Sequence, residues 1–397
     1  MLPSTPSGPA MGSASRQHTL REQNMQLVMR AIIESQYPVS RADVATATGL
    51  ARATVSSLVD SLVSANLLME LPPVTTGSAG RPAIPLQLAP RSIVGIGLEI
   101  NPDFLGYAVI DLSGDVIDEG IERGSFINSD PVATMRQAGV LIRDVIAELQ
   151  DQAIRVAGLR LAMPGLVNSK TGFLEVAPNL GWKHVDVAEL LGITDVPVLA
   201  ENEAKLAAFA ELKESGRKDF LWASPEVGIG GAIVSDGRVY SGQNGWNSEI
   251  GHIVVDPSGP PCSCGARGCL EQYAGRVAIT KAAGLPEGTS LVDLIEVLKA
   301  GDPVALAAMD AAGRAFGAAL ADWVNLMGIF TLVIGGPCRD LLGWGVDAMR
   351  TSVHERVLAA PFTDITIVKS VTEENSAMKG AALAVLDEVL AQPAAWI

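Results

Sequence analysis

A histidine and three cysteines stand close together in a chain that has four cysteines in all. His252 is followed by nine residues and Cys262, then by one residue and Cys264, then by four residues and Cys269. One imidazole and three thiolates make a complete tetrahedral set for a structural zinc ion, with no position left open for catalysis. The spacing predicts a zinc site within residues 252–269; the alternatives are buried free cysteines or redox thiols.

The composition predicts how the chain is divided and where it works. It has 397 residues, of which 48% are hydrophobic and 18% charged, which suits two or three folded domains. Residues 1–15, rich in Pro, Ser and Gly, predict a disordered tail without the apolar core of a signal peptide. We find no apolar run of bilayer-crossing length and expect a cytoplasmic protein with no membrane partner. Thiols stay reduced in that compartment, which argues against disulfides; Cys338 stands alone and is expected to be a packing residue.

The charge is distributed unevenly along the chain. Residues 16–91 contain seven arginines against five acidic side chains, whereas the whole chain has a net charge of −15. A mildly basic end on a strongly acidic body is compatible with a small DNA-binding head.

Residues 16–88 have the pattern of a winged helix-turn-helix domain. Apolar residues recur at helical spacing around Leu27 and Ile32, and Ser40 with Asp43 predicts a capping box for a second helix. A third helix follows Gly49, and two short strands around a Gly-rich tip complete the pattern. Groove contacts are predicted for side chains at the start of the third helix and for one on the wing, namely Arg52, Thr54, Ser57 and Arg81. The alternative is a three-helix protein-interaction module.

Residues 91–397 predict an α/β body. Buried-strand runs such as "SIVGIGLEI" and "IFTLVIGGP" alternate with helical segments, with Gly-rich joints between them. Strands and helices that alternate in this way form layered α/β folds. The length suits two α/β subdomains with a cleft between them.

The motifs then point to a family. The stretch "NSEIGHIVVDPSGPPCSCGARGCLEQYAG", together with "LAMPGLV", "APNLGW", "ENEAKLAAFAE" and "VGIGGAIVSDGRVYSG", closely resembles the ROK family of repressors, open reading frames and sugar kinases. The resemblance covers most of the chain, and the head is similar to the one that the repressor branch carries. It implies an actin-like, ribonuclease-H-like body of two lobes, in which the zinc braces a loop that presents sugar ligands.

The resemblance also implies a set of sugar-binding residues. Carboxylates and carboxamides grip vicinal hydroxyls through paired hydrogen bonds, and a buried polar site of this kind rejects ligands that lack those hydroxyls. His252 would then bind zinc through one ring nitrogen and face the sugar with the other. The alternative for the glutamates is that they are solvated surface carboxylates. The residues at the matching positions are Gly165, Asn179, Asn202, Glu203, Glu249, His252 and Glu271.

Three departures from the kinase pattern predict that the chain is not an enzyme and takes no ATP. Where the kinases have an Asp-x-Gly-Gly-Thr phosphate loop, this chain has "GIGLEIN", so that Glu99 and its neighbours fill the space of the phosphates. Glu203 stands at the position of the aspartate that acts as general base, and moving that carboxylate by about one methylene can cost ~100-fold in rate. A phosphate-facing Gly-Thr pair is replaced by Glu226 and Val227.

These observations predict a sugar-responsive transcription factor, most simply a repressor. A homodimer or homotetramer would bind a double-stranded DNA operator, and a monosaccharide or sugar phosphate in the cleft would modulate that binding. The alternatives are an active ATP-dependent sugar kinase with a regulatory head, and a zinc-braced interaction protein that binds neither sugar nor DNA.

Overall fold

The structure is a computed structural model that describes residues 13–35, 37–73, 83–372 and 375–397. It shows an α/β protein in which a small helix-turn-helix head sits on a body of two lobes. Arg81, predicted for the wing, lies outside the described residues. The first helix begins at Ser13, inside the segment predicted as a disordered tail. Its start is early because no Gly or Pro occurs between Gly12 and the apolar stripe, so nothing interrupts the helix there.

The head consists of three helices and three short strands. The helices are α1 (Ser13–Ile33), α2 (Arg41–Thr48) and α3 (Arg52–Ser64), and the strands are β1 (Val39–Ser40), β2 (Leu68–Glu70) and β3 (Pro85–Leu88). The predicted capping box is present: the Asp43 amide donates to Ser40 Oγ at 3.3 Å and the Ser40 amide to Asp43 Oδ2 at 2.9 Å. Gly49, with φ of 71°, ends α2 and turns the chain into α3. The strands form an antiparallel sheet in the order β1-β3-β2, next to the helices.

Lobe 1 is built on a five-stranded sheet with the order β11-β7-β4-β5-β6. A three-stranded sheet, β10-β9-β8, is inserted in the chain between β7 and β11. The elements are β4 (Ile93–Asn101), β5 (Phe104–Asp111), β6 (Val116–Arg123), α4 (Pro131–Asp151), β7 (Arg155–Met163), β8 (Leu166–Val167), β9 (Leu174–Ala177), β10 (Trp182–Val185), α5 (Val187–Leu191), β11 (Val198–Asn202) and α6 (Glu203–Ser215).

Lobe 2 has a second five-stranded sheet, in the order β14-β13-β12-β15-β16. In each lobe three antiparallel strands come first, and two parallel strands are then added beside the first of them. The same order of strands in both lobes is the one expected for the two-lobed fold that the sequence predicted. The elements are β12 (Phe220–Pro225), β13 (Ile229–Ser235), β14 (Arg238–Tyr240), α7 (Glu271–Ala274), α8 (Arg276–Ala282), α9 (Leu291–Lys299), α10 (Pro303–Met327), β15 (Thr331–Ile334), α11 (Leu342–Arg356), β16 (Thr366–Lys369) and α12 (Ser376–Ala391).

Helix α12 connects all three parts of the molecule. It lies so close to β4 that a Cβ atom on Gly97 would clash with the Met378 carbonyl, and it touches α6 so closely that Gly380 could carry no side chain either. Its inner face joins a cluster of buried residues drawn from both lobes. Its outer residues, among them Val385 and Val389, belong to a core shared with the head.

The end of the chain ties the head to lobe 1. A short 3-10 helix, Pro393–Trp396, follows α12 and contacts α1. The Arg155 guanidinium donates to the Ala65 carbonyl at 2.6 Å, just after α3, and to the Trp396 carbonyl at 3.4 Å. Ile397 then lies in a surface groove with Ser57 of α3. The head therefore packs on the body through a continuous interface.

Among the described residues, α10 is long and apolar enough, by length and composition alone, to cross a membrane. The sequence analysis did not single it out. Over half of its most apolar window is buried inside the protein, as is usual for a core helix, and it packs along α11.

Candidate functional site

The four predicted zinc ligands come together in the structure. Their ligand atoms all lie within 4.8 Å of one another, the one such group of His, Cys, Asp and Glu among the described residues. Cys262 Sγ is 3.7 Å from His252 Nδ1, and Cys264 Sγ is 3.7 Å from Cys269 Sγ. Tetrahedral zinc with bonds of about 2.3 Å to sulfur would place two sulfurs about 3.8 Å apart. The cluster therefore has the ligand types and the spacing that zinc requires.

The backbone around the cluster is folded tightly by two short bridges. Val254 pairs with Cys269 and Pro261 pairs with Arg267, both antiparallel. Gly268 has a φ of 69°, and a Cβ atom there would clash with the carbonyl of Asp256. Glycine is needed at this position for both reasons. The loop can then fold back so that His252, near its start, and Cys269, at its end, lie in the same cluster.

The thiols of the cluster differ in their surroundings: burial raises the pKa of Cys262, whereas a hydrogen bond from the Ala266 amide lowers the pKa of the exposed Cys264. Burial, together with the neighbouring Cys262 and Cys264, raises the pKa of the Cys269 thiol to about 12. A reactive cysteine needs the opposite environment, one that stabilises the thiolate. A bound divalent cation would supply that stabilisation to all three thiolates.

Glu271 joins the cluster to the predicted sugar site. It opens α7 two residues after Cys269, and Cys262 Sγ donates to its Oε1 at 2.9 Å. His252 Nδ1 lies 3.9 Å from the same oxygen. The ring nitrogen of His252 that faces the cysteines is thus Nδ1.

Three of the predicted sugar-binding residues meet at the start of α6. Asn202 caps the helix, with its Oδ1 accepting from the Lys205 amide at 3.2 Å. Its Nδ2 donates to the Gly165 carbonyl at 3.1 Å and to Glu203 Oε2 at 2.9 Å. Gly165 has a φ of 91°, and a Cβ atom there would clash with the Val176 carbonyl. The loop after β7 can therefore reach Asn202 because residue 165 is glycine.

Asn179 and Glu271, two more of the predicted sugar-binding residues, meet at Gly228 of lobe 2. A Cβ atom on Gly228 would lie 3.2 Å from Asn179 Nδ2 and 3.4 Å from Glu271 Oε2. A Cβ atom on Gly230 would lie 3.6 Å from Glu203 Oε1. We call residues 226–230 the glycine strip. Side chains from both lobes converge on it.

The carboxyl groups of this region are crowded. Burial raises the pKa of Glu203 well above its ordinary value, and the carboxyls of Glu226 and Glu249 raise it further. Burial also raises the pKa of Glu249, while His252 and Lys205 lower it. The carboxyl of Glu271, a like charge, raises the pKa of Glu249 further.

Lys205 is a member of this region that the sequence analysis missed. It is 2% exposed, its ammonium contacts the Gly245 carbonyl, and it lies 3.9 Å from Glu201 Oε1. Burial lowers its pKa, and the carboxyls of Glu201, Glu249 and Glu203 raise it. A lysine among the apolar residues of "AKLAAFA", three residues after the N-cap, was the available signal.

The residues that depart from the kinase pattern contact one another. The Asn101 amide lies 3.4 Å from Glu99 Oε1 and 3.4 Å from Glu226 Oε2. Glu99 is 5% exposed. Burial raises the pKa of Glu99 to about 8, and Glu226 contributes to the shift. Ser224 Oγ donates to Glu226 Oε1 at 3.0 Å, so the space between the lobes is filled here by polar side chains.

The predicted DNA contacts lie on α3. Arg52 is the first residue of the helix and is exposed, as is Ser57, while Thr54 is half-buried. The opposite stripe, which begins with Val55 and Leu58, is fully buried. The helix therefore turns its polar side outward.

The sequence profile of the ROK family matches residues 96–388. The chain belongs to the ROK family. It is 26% identical over 376 residues to the xylose repressor of Bacillus spizizenii, covering 94% of this chain and 97% of that protein.

Two solved structures are similar over their whole length. The crystal structure of a ROK family transcriptional regulator, a homolog of the E. coli Mlc protein, has a TM-score of 0.79 and 27% identity, covering 94% of this chain and 97% of that chain. A ROK family glucokinase from Streptomyces griseus, in complex with glucose and AMPPNP, has a TM-score of 0.63 and 25% identity. It covers 73% of this chain and 98% of that one. The fold class predicted from the sequence is confirmed by these matches.

Proposed function

We propose that this chain is a cytoplasmic, sugar-responsive transcriptional regulator, and that it acts as a repressor. The head reads a double-stranded DNA operator, and a monosaccharide or sugar phosphate in the cleft alters that binding. The similarity to a xylose repressor extends over 94% of the chain, head included, whereas the glucokinase covers 73% of it.

The observation that carries the proposal is the convergence on the glycine strip. Amide and carboxyl groups of Asn179, Glu203 and Glu271 reach it from two lobes, and the Glu249 carboxyl interacts electrostatically with those of Glu203 and Glu271. Groups of these two kinds bind the hydroxyls of a sugar, which both donate and accept hydrogen bonds. A ligand held by both lobes has a different affinity for their open and closed arrangements, which is the requirement for a switch.

The metal cluster supports the same site. Zinc held by His252, Cys262, Cys264 and Cys269 would supply a rigid structural link, and the chain would add the sugar contacts beside it. Glu271 follows the last of these ligands by two residues and contacts Cys262. The metal would thus fix the direction of a sugar-binding carboxylate.

The DNA-binding unit of the proposal is a symmetric oligomer, a dimer or a tetramer. Helix-turn-helix heads bind in pairs to operator half-sites about one helical turn apart. Arg52, Thr54 and Ser57 would enter the major groove, and Arg81 would contact DNA from the wing.

A kinase is the second candidate, favoured by the likeness to the glucokinase. We propose that this chain is not an enzyme, because Glu99 and Glu226 stand together where the resemblance places a phosphate loop. A coupled assay with ATP and a panel of hexoses distinguishes the two, and turnover at ordinary enzyme rates of about 1–1000 per second would establish the kinase.

The test of the regulator is a thermal-shift screen of the zinc-loaded protein against sugars and sugar phosphates. A ligand that raises Tm should also change retardation of DNA from upstream of the protein's own gene. The proposal is wrong if no sugar or sugar phosphate raises Tm and the protein does not retard the DNA.

A further inference from the structure

Two carboxyl side chains meet across the cleft, one from each lobe. Glu99 lies on β4 of lobe 1, and Glu226 follows β12 of lobe 2. The Asn101 amide is 3.4 Å from a carboxyl oxygen of each. Neither side chain belongs to the sugar-binding set described above.

This pair is continuous with the predicted sugar site. The Glu226 amide donates to the Gly228 carbonyl at 2.7 Å, and Gly228 is the residue on which Asn179 and Glu271 converge. Both carboxyl groups of the pair are also close enough to Glu203 to raise its pKa. The pair therefore borders the end of the cleft where Glu203 stands.

The positive groups nearby are already engaged. The Lys205 ammonium contacts the Gly245 carbonyl and lies 3.9 Å from Glu201. The Arg276 guanidinium lies 3.2 Å from Asp103 and 3.4 Å from the Thr289 carbonyl. Of these two cations, Arg276 acts on Glu226 and Lys205 acts on Glu203. His252 acts on Glu249 and belongs to the metal cluster.

We propose that Glu99 and Glu226 exclude phosphorylated sugars from the cleft, so that the effector is an unphosphorylated, uncharged sugar. The inference rests on the proposed function, since it presumes that the cleft binds a sugar.

The physical reason is the charge and hydrogen bonding of a phosphate group. A phosphate monoester carries about −1.5 to −2 charges at pH 7 and binds where N–H donors, Arg or Lys converge on it. Here it would meet two carboxyl groups in a poorly hydrated space, and above about pH 8, the raised pKa of Glu99, the Glu99 carboxyl is ionised and repels it. The backbone amide of Glu226 is already bonded to the Gly228 carbonyl and is not free to bind a phosphate. A hydroxyl group can instead donate to a carboxylate and accept from an amide.

The experiment measures, at pH 8.5, the ratio of two dissociation constants for each of three pairs of probes. The pairs are D-glucose and D-glucose 6-phosphate, N-acetyl-D-glucosamine and its 6-phosphate, and D-xylose and D-xylose 5-phosphate. For the pair whose neutral member binds most tightly, we expect the phosphate to bind at least about 100-fold more weakly. The variants are Glu226→Ala and the double variant Glu99→Gln/Glu226→Ala.

We expect the ratio to fall at least about tenfold in the double variant, because charge and bulk are both removed. Since it compares two ligands on one protein, a general loss of stability does not produce this change. Glu296→Gln, on the surface of α9, is the matched control and should leave the ratio unchanged.

A sugar phosphate that binds the unaltered protein as tightly as its parent sugar would overturn this inference and leave the proposed function standing. A ratio unchanged in the double variant would show that the two glutamates are not the cause. If none of the probes binds, this inference fails; if the chain in addition retains no DNA, the proposed function fails as well.

Discussion

At the scale of single residues, the cleft is defined by buried groups that depend on their neighbours. Asn202 caps α6 with one end of its amide and holds Gly165 and Glu203 with the other. Lys205 places a positive charge among carboxyls. A buried polar group that loses its hydrogen-bond partner destabilises the fold. Single substitutions of these residues should therefore lower the free energy of unfolding by more than the number of atoms removed would suggest.

Replacing Cys269 with Ser should remove the metal and the sugar together. The variant loses a zinc ligand, and with the metal it loses the cluster that holds Glu271 in place. We therefore expect less than one zinc per chain by elemental analysis and a fall in Tm of more than about 5 °C. Sugar-dependent stabilisation should disappear as well. Cys338→Ala is the matched control, since Cys338 is also buried but lies in a different segment. Full zinc content in Cys269→Ser would contradict the predicted ligand set.

Replacing Lys205 with Met should weaken sugar binding at least about tenfold and destabilise the fold by roughly 3–5 kcal/mol, because buried carboxyls then lose their counter-charge. Urea unfolding measures the free energy and calorimetry measures the affinity. Lys213→Met, on the exposed face of the same helix, is the control. If the two substitutions changed the sugar affinity and the free energy of unfolding equally, Lys205 would not be the counter-charge of the cleft carboxyls.

The buried Glu99 should make stability depend on pH. Its pKa is raised from 4.5 to about 8 in the folded protein, so the folded state holds a proton that the unfolded state releases between those values. The contribution of Glu99 to the free energy of unfolding is fully present below pH 4.5. It falls as the pH rises to about 8, by at most about 1.4 kcal/mol per pH unit. Glu99→Gln should reduce this decline in urea unfolding at pH 5.5, 6.5 and 7.5. A decline as steep as in the unaltered chain would be inconsistent with a protonated Glu99.

At the scale of elements, local sequence patterns predicted local structure well. The Ser40 capping box, the buried stripe of α3 and the strand that ends before Gly335 could be read directly, because each depends on residues a few positions apart. The contact between Asn101 and Glu226 could not, since the two are brought together by the packing of separate lobes. Lys205 was missed for the same reason. The resemblance named most of the sugar residues, but the glycine strip on which they converge became visible only in three dimensions.

The contact between α12 and its neighbours should tolerate no side chain at Gly380. A Cβ atom there would clash with the Leu206 carbonyl of α6, and backbone cannot move aside without separating the helices. We expect Gly380→Ala to destabilise the protein by about 1–3 kcal/mol in urea unfolding. Gly343→Ala, where a Cβ atom meets no neighbour, is the control and should leave the free energy of unfolding nearly unchanged.

At the scale of the whole molecule, the head shares a hydrophobic core with lobe 1. Met29 and Leu62 of the head belong to the same buried cluster as Ile93 and Leu386 of the body. A shared core makes two parts unfold together. A movement of the lobes can therefore reach α3 through packed side chains.

Removing residues 393–397 should separate the melting of the head from that of the body. The truncation deletes Trp396, whose carbonyl accepts from Arg155 and whose ring lies 6.0 Å from its guanidinium. Calorimetry of the full chain should show the head unfolding together with lobe 1, whereas the shortened chain should show an earlier transition for the head. A melting profile unchanged by the truncation would mean that the 3-10 helix does not fasten the head.

The position of Ile397 also has a practical consequence for anyone who purifies this protein. A polypeptide fused after that residue would emerge in the groove beside Ser57, on the helix proposed to enter DNA. An affinity tag placed there would obstruct the operator and mimic a defective repressor, so the tag belongs at the opposite terminus.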